Sequence, residues 1–170
     1  MAVPEIFNTI EQSGLSKWIR ESESVFGFYF ILVLHNFGLA MLVGSSVLVD
    51  LRILGAAPNL PLRSMSRLFR IMWIGLVFNI VTGILLVTGY PTKALTNPMF
   101  YIKLSLVALS LVTLWKIKTR VFDNLSLSEA EMIAAGKTLA KWSLFLWFLA
   151  ITAGRLLAYT YTYLYYGLRE

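Results

Sequence analysis

The 170-residue chain has no cysteine and a single histidine. The absence of cysteine excludes disulfides, thiolate-held zinc, iron–sulfur clusters, covalently attached haem and a thiol nucleophile. A lone imidazole excludes a metal site built from several histidines, and it denies any one chain the two histidines of the usual electron-transfer haem. Charge is also scarce: 14% of residues are charged and 58% are hydrophobic, against about 25% and roughly 45–50% in soluble domains. The mean hydropathy is +0.71. There is no Gly-rich phosphate loop, no paired carboxylates at catalytic spacing, no HExxH and no nucleophile–base pair, so no catalytic residue is assigned.

What is present in quantity is uncharged length. Four stretches of about twenty residues carry almost no charge, which only a lipid solvent tolerates, and this identifies an all-α integral membrane protein with a four-transmembrane-helix bundle. The expected spans are 24–49, 71–90, 99–121 and 142–166, forming one membrane domain over residues 1–170. Residues 1–23 have an imperfect helical stripe (Ile6, Phe7, Ile10, Leu15, Trp18, Ile19) and no signal-peptide pattern, and are expected to form an interfacial helix. Gly55, Pro58 and Pro61 break the chain in the first connection, and Pro91, Asn97 and Pro98 in the second, so both are expected to be loops. In the third, Ser128-x-x-Glu131 is a capping box that should start a helix through Met132 to Lys141.

The net charge is +6. In a membrane chain this excess reports topology, and no nucleic-acid partner is expected. Nine basic residues fall in the first and third connections (Arg52, Arg63, Arg67, Arg70, Lys116, Lys118, Arg120, Lys137, Lys141), against four on the other side (Lys17, Arg20, Lys93, Arg169). The bias puts those connections in the cytoplasm and both termini on the outer side. Trp73, Trp115 and Trp142 then mark the inner interface; Trp18, Tyr90 and the tyrosines from Tyr159 to Tyr166 mark the outer one.

The informative residues are polar side chains at hydrocarbon depth, where each is costly and usually faces a partner or cavity. His35, Asn79 and Arg155 each lie eleven residues from the outer end of an expected span, which at about 1.5 Å per residue is near 16 Å depth. Lys103 enters shallowly, either snorkelling to the surface or turning inward. Arg155 has no acidic residue at its depth, so a ligand bearing carboxylates or phosphates is a natural counter-ion. Small residues recur beside these groups: Asn36, Ala40 and Gly44, with Gly38 on the His35 face; Gly75, Asn79, Thr82 and Gly83; and Ala150, Gly154 and Ala158. Such strips serve helix packing or a flat ligand.

The segments Trp18-Ile-Arg-Glu-Ser22, Leu34-His-Asn-Phe-Gly-Leu39, Asp50-Leu-Arg-Ile-Leu-Gly55, Phe100-Tyr-Ile-Lys-Leu104 and Ala153-Gly-Arg-Leu-Leu-Ala-Tyr159 together resemble an uncharacterised family of small bacterial four-helix inner-membrane proteins. The resemblance covers nearly the whole chain and implies a four-helix fold in a bacterial plasma membrane, with no assigned activity. A shorter likeness, over Asn97-Pro-Met-Phe-Tyr-Ile-Lys-Leu104, is to CopD-type copper-resistance membrane proteins and other small cytochrome-like bundles.

Three functions compete on these residues. The leading expectation is a b-type haem protein with an electron-transfer or redox role. His35 would be the metal's axial ligand, Gly38 and Asn79 would line the macrocycle slot, and Lys103, Arg155 and Tyr159 would meet the propionates. A second His35 from a homo-oligomer could complete the coordination, and a quinone or another redox partner is expected near the outer tyrosines. The alternatives are a non-catalytic membrane subunit or assembly factor, with the polar groups as interhelical glue, and a proton or small-solute carrier component.

Overall fold

The structure, a computed structural model, describes residues 5–22 and 24–166, with side chains as far as Thr160. All regular elements among them are helical: α1 (Glu5–Glu11), α2 (Gly14–Glu21), α3 (Phe28–Ile53), α4 (Leu62–Gly89), α5 (Pro91–Leu95), α6 (Pro98–Phe122) and α7 (Glu129–Tyr166). Helices α3, α4, α6 and α7 are long and apolar enough to cross a membrane. The protein is thus an all-α, four-helix multi-pass membrane protein.

The first two connections are more helical than expected, each for a local reason. The chain enters α4 at Leu62 through a 3₁₀ turn (Leu62–Arg67), nine residues before the expected start at Ile71. Leu62, Met65, Phe69 and Met72 form one buried stripe there, which leaves Arg63, Arg67 and Arg70 exposed on the opposite face. The second connection folds into α5, with Pro91 in its first turn, and Asn97 then caps α6, its side chain accepting from the Met99 N–H at 2.9 Å. Both prolines lack the N–H that a first helical turn leaves unpaired, so they start helices here. The capping box at Ser128 forms as expected: the Ser128 N–H donates to Glu131 Oε2 at 2.8 Å and the Glu131 N–H donates back to Ser128 Oγ at 3.4 Å. From there α7 runs unbroken for 38 residues.

The bundle is two hairpins, α3 with α4 and α6 with α7, joined where the second half of α3 (Ser45–Ile53) packs on α7. One end carries α1, α2 and α5 and is called the capped end. The other carries the connections rich in Arg and Lys and is called the basic end. Ile19 and Ser16 of α2 are fully buried, and the Ser16 hydroxyl donates to the Gly89 carbonyl at 3.3 Å, so α2 closes over the end of α4. The expected interfacial segment is therefore a helix pair, with Ile6, Leu15 and Trp18 exposed on its other face.

Packing is unequal along the bundle. The contiguous core consists of Leu42, Val43, Val49 and Ile53 of α3, Leu62 to Met72 of α4, Leu114 to Phe122 of α6, and Met132, Ala140, Trp147 and Ala150 of α7. All of these lie in the basic half. In the capped half α3 and α4 cross at Gly38 and Gly75. A Cβ on Gly75 would sit 2.7 Å from the Gly38 carbonyl oxygen and 2.8 Å from Leu42 N, so the two backbones touch as small-residue crossings in membranes allow. Just past this crossing α3 widens into a π turn, Ala40–Gly44.

Candidate ligand site in the capped half

His35 projects from α3 toward α4. Its Nδ1 lies 2.9 Å from Thr82 Oγ1, and the Thr82 hydroxyl itself donates to the Phe78 carbonyl at 2.5 Å. A hydroxyl has one proton, and here the i−4 carbonyl takes it. The imidazole must therefore be the donor at Nδ1, which makes Nε2 the nitrogen with the free lone pair. Among the described residues Nε2 has no hydrogen-bond partner.

One glycine borders this ring, and a second lies under Lys103. A Cβ on Gly83 would lie 3.5 Å from His35 Cε1, so bare backbone faces the imidazole edge. Across the gap, Lys103 of α6 lies over Gly154 of α7: a Cβ there would meet Lys103 Cε at 3.5 Å and Nζ at 3.9 Å. Lys103 is half-buried, and its ammonium is within Coulombic reach of His35. It takes the inward of its two expected orientations. The site thus offers one nitrogen lone pair and one ammonium, contributed by different hairpins, with backbone exposed beside each.

The remaining expected site residues fall elsewhere. Gly38 is filled by the helix crossing, with Asn79 Nδ2 at 2.7 Å and Phe78 Cβ at 2.8 Å from where its Cβ would be. Asn79 donates to the Gly75 carbonyl at 3.1 Å, one turn from His35. Arg155 and Tyr159 are exposed on α7, and no described residue pairs with the guanidinium. The side chains of Tyr161 to Tyr166, and Arg169, lie outside the described ones. His35 itself follows Phe28 by seven residues, about 10 Å into its helix, because α3 starts later and ends later than expected.

The residue that sequence reasoning undervalued is Thr82. It sits on one helix face with Gly75 and Asn79, but only the partner helix's placement gives it the imidazole. Among the described residues no three His, Asp or Glu side chains gather as a metal site. Comparison of the chain with protein-family models, with curated proteins and with solved structures finds no match.

Proposed function

We propose that the capped half binds haem b, with His35 Nε2 as an axial ligand, and that the protein has an electron-transfer or redox role. One observation carries this: His35 Nδ1 lies 2.9 Å from Thr82 Oγ1, an oxygen that can take the Nδ1 proton and leave Nε2 free. Ligating histidines are held in this way, the second ring nitrogen donating to an oxygen that fixes ring orientation and raises basicity. Thr82 orients and His35 ligates. Lys103 supplies the positive charge that a propionate needs, and Gly83 and Gly154 leave backbone against which a flat group packs. The bound group would supply the one-electron chemistry that no side chain here provides. The sixth position falls to His35 of a second copy in a homo-oligomer, to another donor, or to none.

The test is the absorption spectrum of protein purified from haem-replete cells, and of apoprotein titrated with hemin. A Soret band that vanishes in His35→Ala is expected. In Thr82→Val the band should persist with an altered reduction potential, because the ring keeps its ligand atom but loses its orienting oxygen. Wild-type protein that is colourless and takes up no hemin overturns the proposal.

A second reading, a membrane subunit or assembly factor, is favoured by Arg155: an exposed guanidinium on α7, with no partner among the described residues, suits an acidic group or phosphate from outside the chain. Recovery of a partner in fixed ratio, lost in Arg155→Gln, would support it. The charge bias, and the resemblance of several segments to small bacterial inner-membrane proteins, support a plasma-membrane location with the capped end periplasmic. Single cysteines at Gln12 and Asn124, introduced into this cysteine-free chain, should react with impermeant thiol reagents only from the periplasm and only from the cytoplasm, respectively.

A further inference from the structure

A second polar group lies in the basic half, where the hydrophobic core is densest. Asp50 and Ser46 of α3 and Ser143 of α7 are each 0% exposed. Ser46 Oγ lies 3.5 Å from Asp50 Oδ2 and 3.4 Å from Ser143 Oγ, and it accepts the Trp147 indole N–H at 3.1 Å. Asp50 Oδ1 is buried with no partner.

Among the described residues no cation serves this carboxylate. Arg52, two residues on, is turned to Glu129 and to the carbonyls of Pro58 and Leu60. Lys118 is bonded to Asp123, and Arg63 to the Leu125 and Leu127 carbonyls. On the packed elements Arg67, Arg70, Arg120, Glu131, Lys137 and Lys141 are exposed, and Lys116 is partly so; none is bonded to Asp50. An isolated carboxylate costs several kcal/mol in such surroundings, so a positive charge must come from solution. One carboxylate beside two neutral hydroxyls balances a single positive charge. The 3.4 and 3.5 Å oxygen separations exceed those of good O–H···O bonds, about 2.7–2.8 Å. They match neighbouring oxygens about 2.4 Å from a shared hard cation.

We propose that Asp50, Ser46 and Ser143 form a binding site for one monovalent cation, H⁺ or Na⁺, at the seam between α3 and α7. Because Ser46 and Asp50 belong to one hairpin and Ser143 and Trp147 to the other, occupancy ties the hairpins together. The site is independent of His35 and stands whether or not haem binds.

The test is thermal unfolding of the full-length protein in detergent, across mildly acidic to mildly alkaline pH, in NaCl or choline chloride. If Na⁺ is the occupant, the midpoint temperature rises with NaCl and not with choline chloride at alkaline pH. If it is H⁺, the folded state holds one more proton than the unfolded chain, so stability falls as pH rises, with no Na⁺ effect. Asp50→Asn should abolish whichever dependence is seen. Ser143→Ala should weaken it by about tenfold in Na⁺ concentration, or move the pH midpoint by about one unit. Where Asp50→Asn fails to fold, Ser143→Ala carries the test, together with the infrared carboxyl band of the wild type, which should change with pH or Na⁺. Indifference of the wild type to both cations, an unchanged response in Asp50→Asn, or an unmoved response in Ser143→Ala would overturn the proposal.

Discussion

The basic and capped halves of the same four helices are built differently. In the basic half, apolar residues from all four helices interdigitate around Trp147, and α3 bridges the two hairpins. In the capped half α3 meets α4 through a glycine crossing, His35 reaches Thr82, Lys103 lies over Gly154, and few large side chains are buried there. Close packing resists displacement, while sparse packing leaves room for something to enter. Most of the stability should therefore reside in one half and the chemistry of His35 in the other.

Truncations that exchange these roles would break the contrast. Trp147→Ala removes the largest fully buried side chain and the indole N–H that Ser46 accepts. It should cost about 3–5 kcal/mol, seen as a lower unfolding midpoint, with the haem site's spectrum retained in whatever folds. Gly75→Leu forces the α3–α4 backbones apart and should cost about 1–3 kcal/mol; since Thr82 rides on the same helix, hemin affinity should fall with it. His35→Ala loses one net hydrogen bond, about 0.5–1.5 kcal/mol, yet should eliminate the Soret band. Arg155→Gln should change the stability of the isolated chain by less than about 0.5 kcal/mol, measured in the same unfolding assay. A stability loss on Arg155→Gln as large as that of Trp147→Ala would show that the capped half is load-carrying after all.

Much of the architecture was legible from hydropathy, because lipid imposes a length and a polarity on each span. The capping box at Ser128 and the helical stripe of the N-terminal segment follow from spacing alone. The start of α4 was misplaced because three arginines between Arg63 and Arg70 look like loop, although the apolar residues between them keep helical spacing. The polar sites were harder to read. His35, Asn79 and Arg155 seemed to share a layer by depth, but depth along a helix says nothing about azimuth: His35 faces Thr82, Asn79 turns to its own backbone, and Arg155 faces outward. Ser46–Asp50 and Ser143–Trp147 are each an i, i+4 pair, a local signal of a shared face. That the two faces meet depends on how α3 crosses α7, which spacing does not encode.

Two of the four spanning helices contain a π turn, Ala40–Gly44 in α3 and Lys118–Phe122 in α6, whereas α7 runs from Glu129 to Tyr166 with no interruption. At about 1.5 Å per residue that is a rod of roughly 57 Å, nearly twice the hydrocarbon thickness. Such a rod transmits force without a joint: a pull on Glu129, which grips Arg52 beyond the apolar slab, would reach Gly154 beneath Lys103 as a rigid displacement, while its π-bearing neighbours have a place to bend.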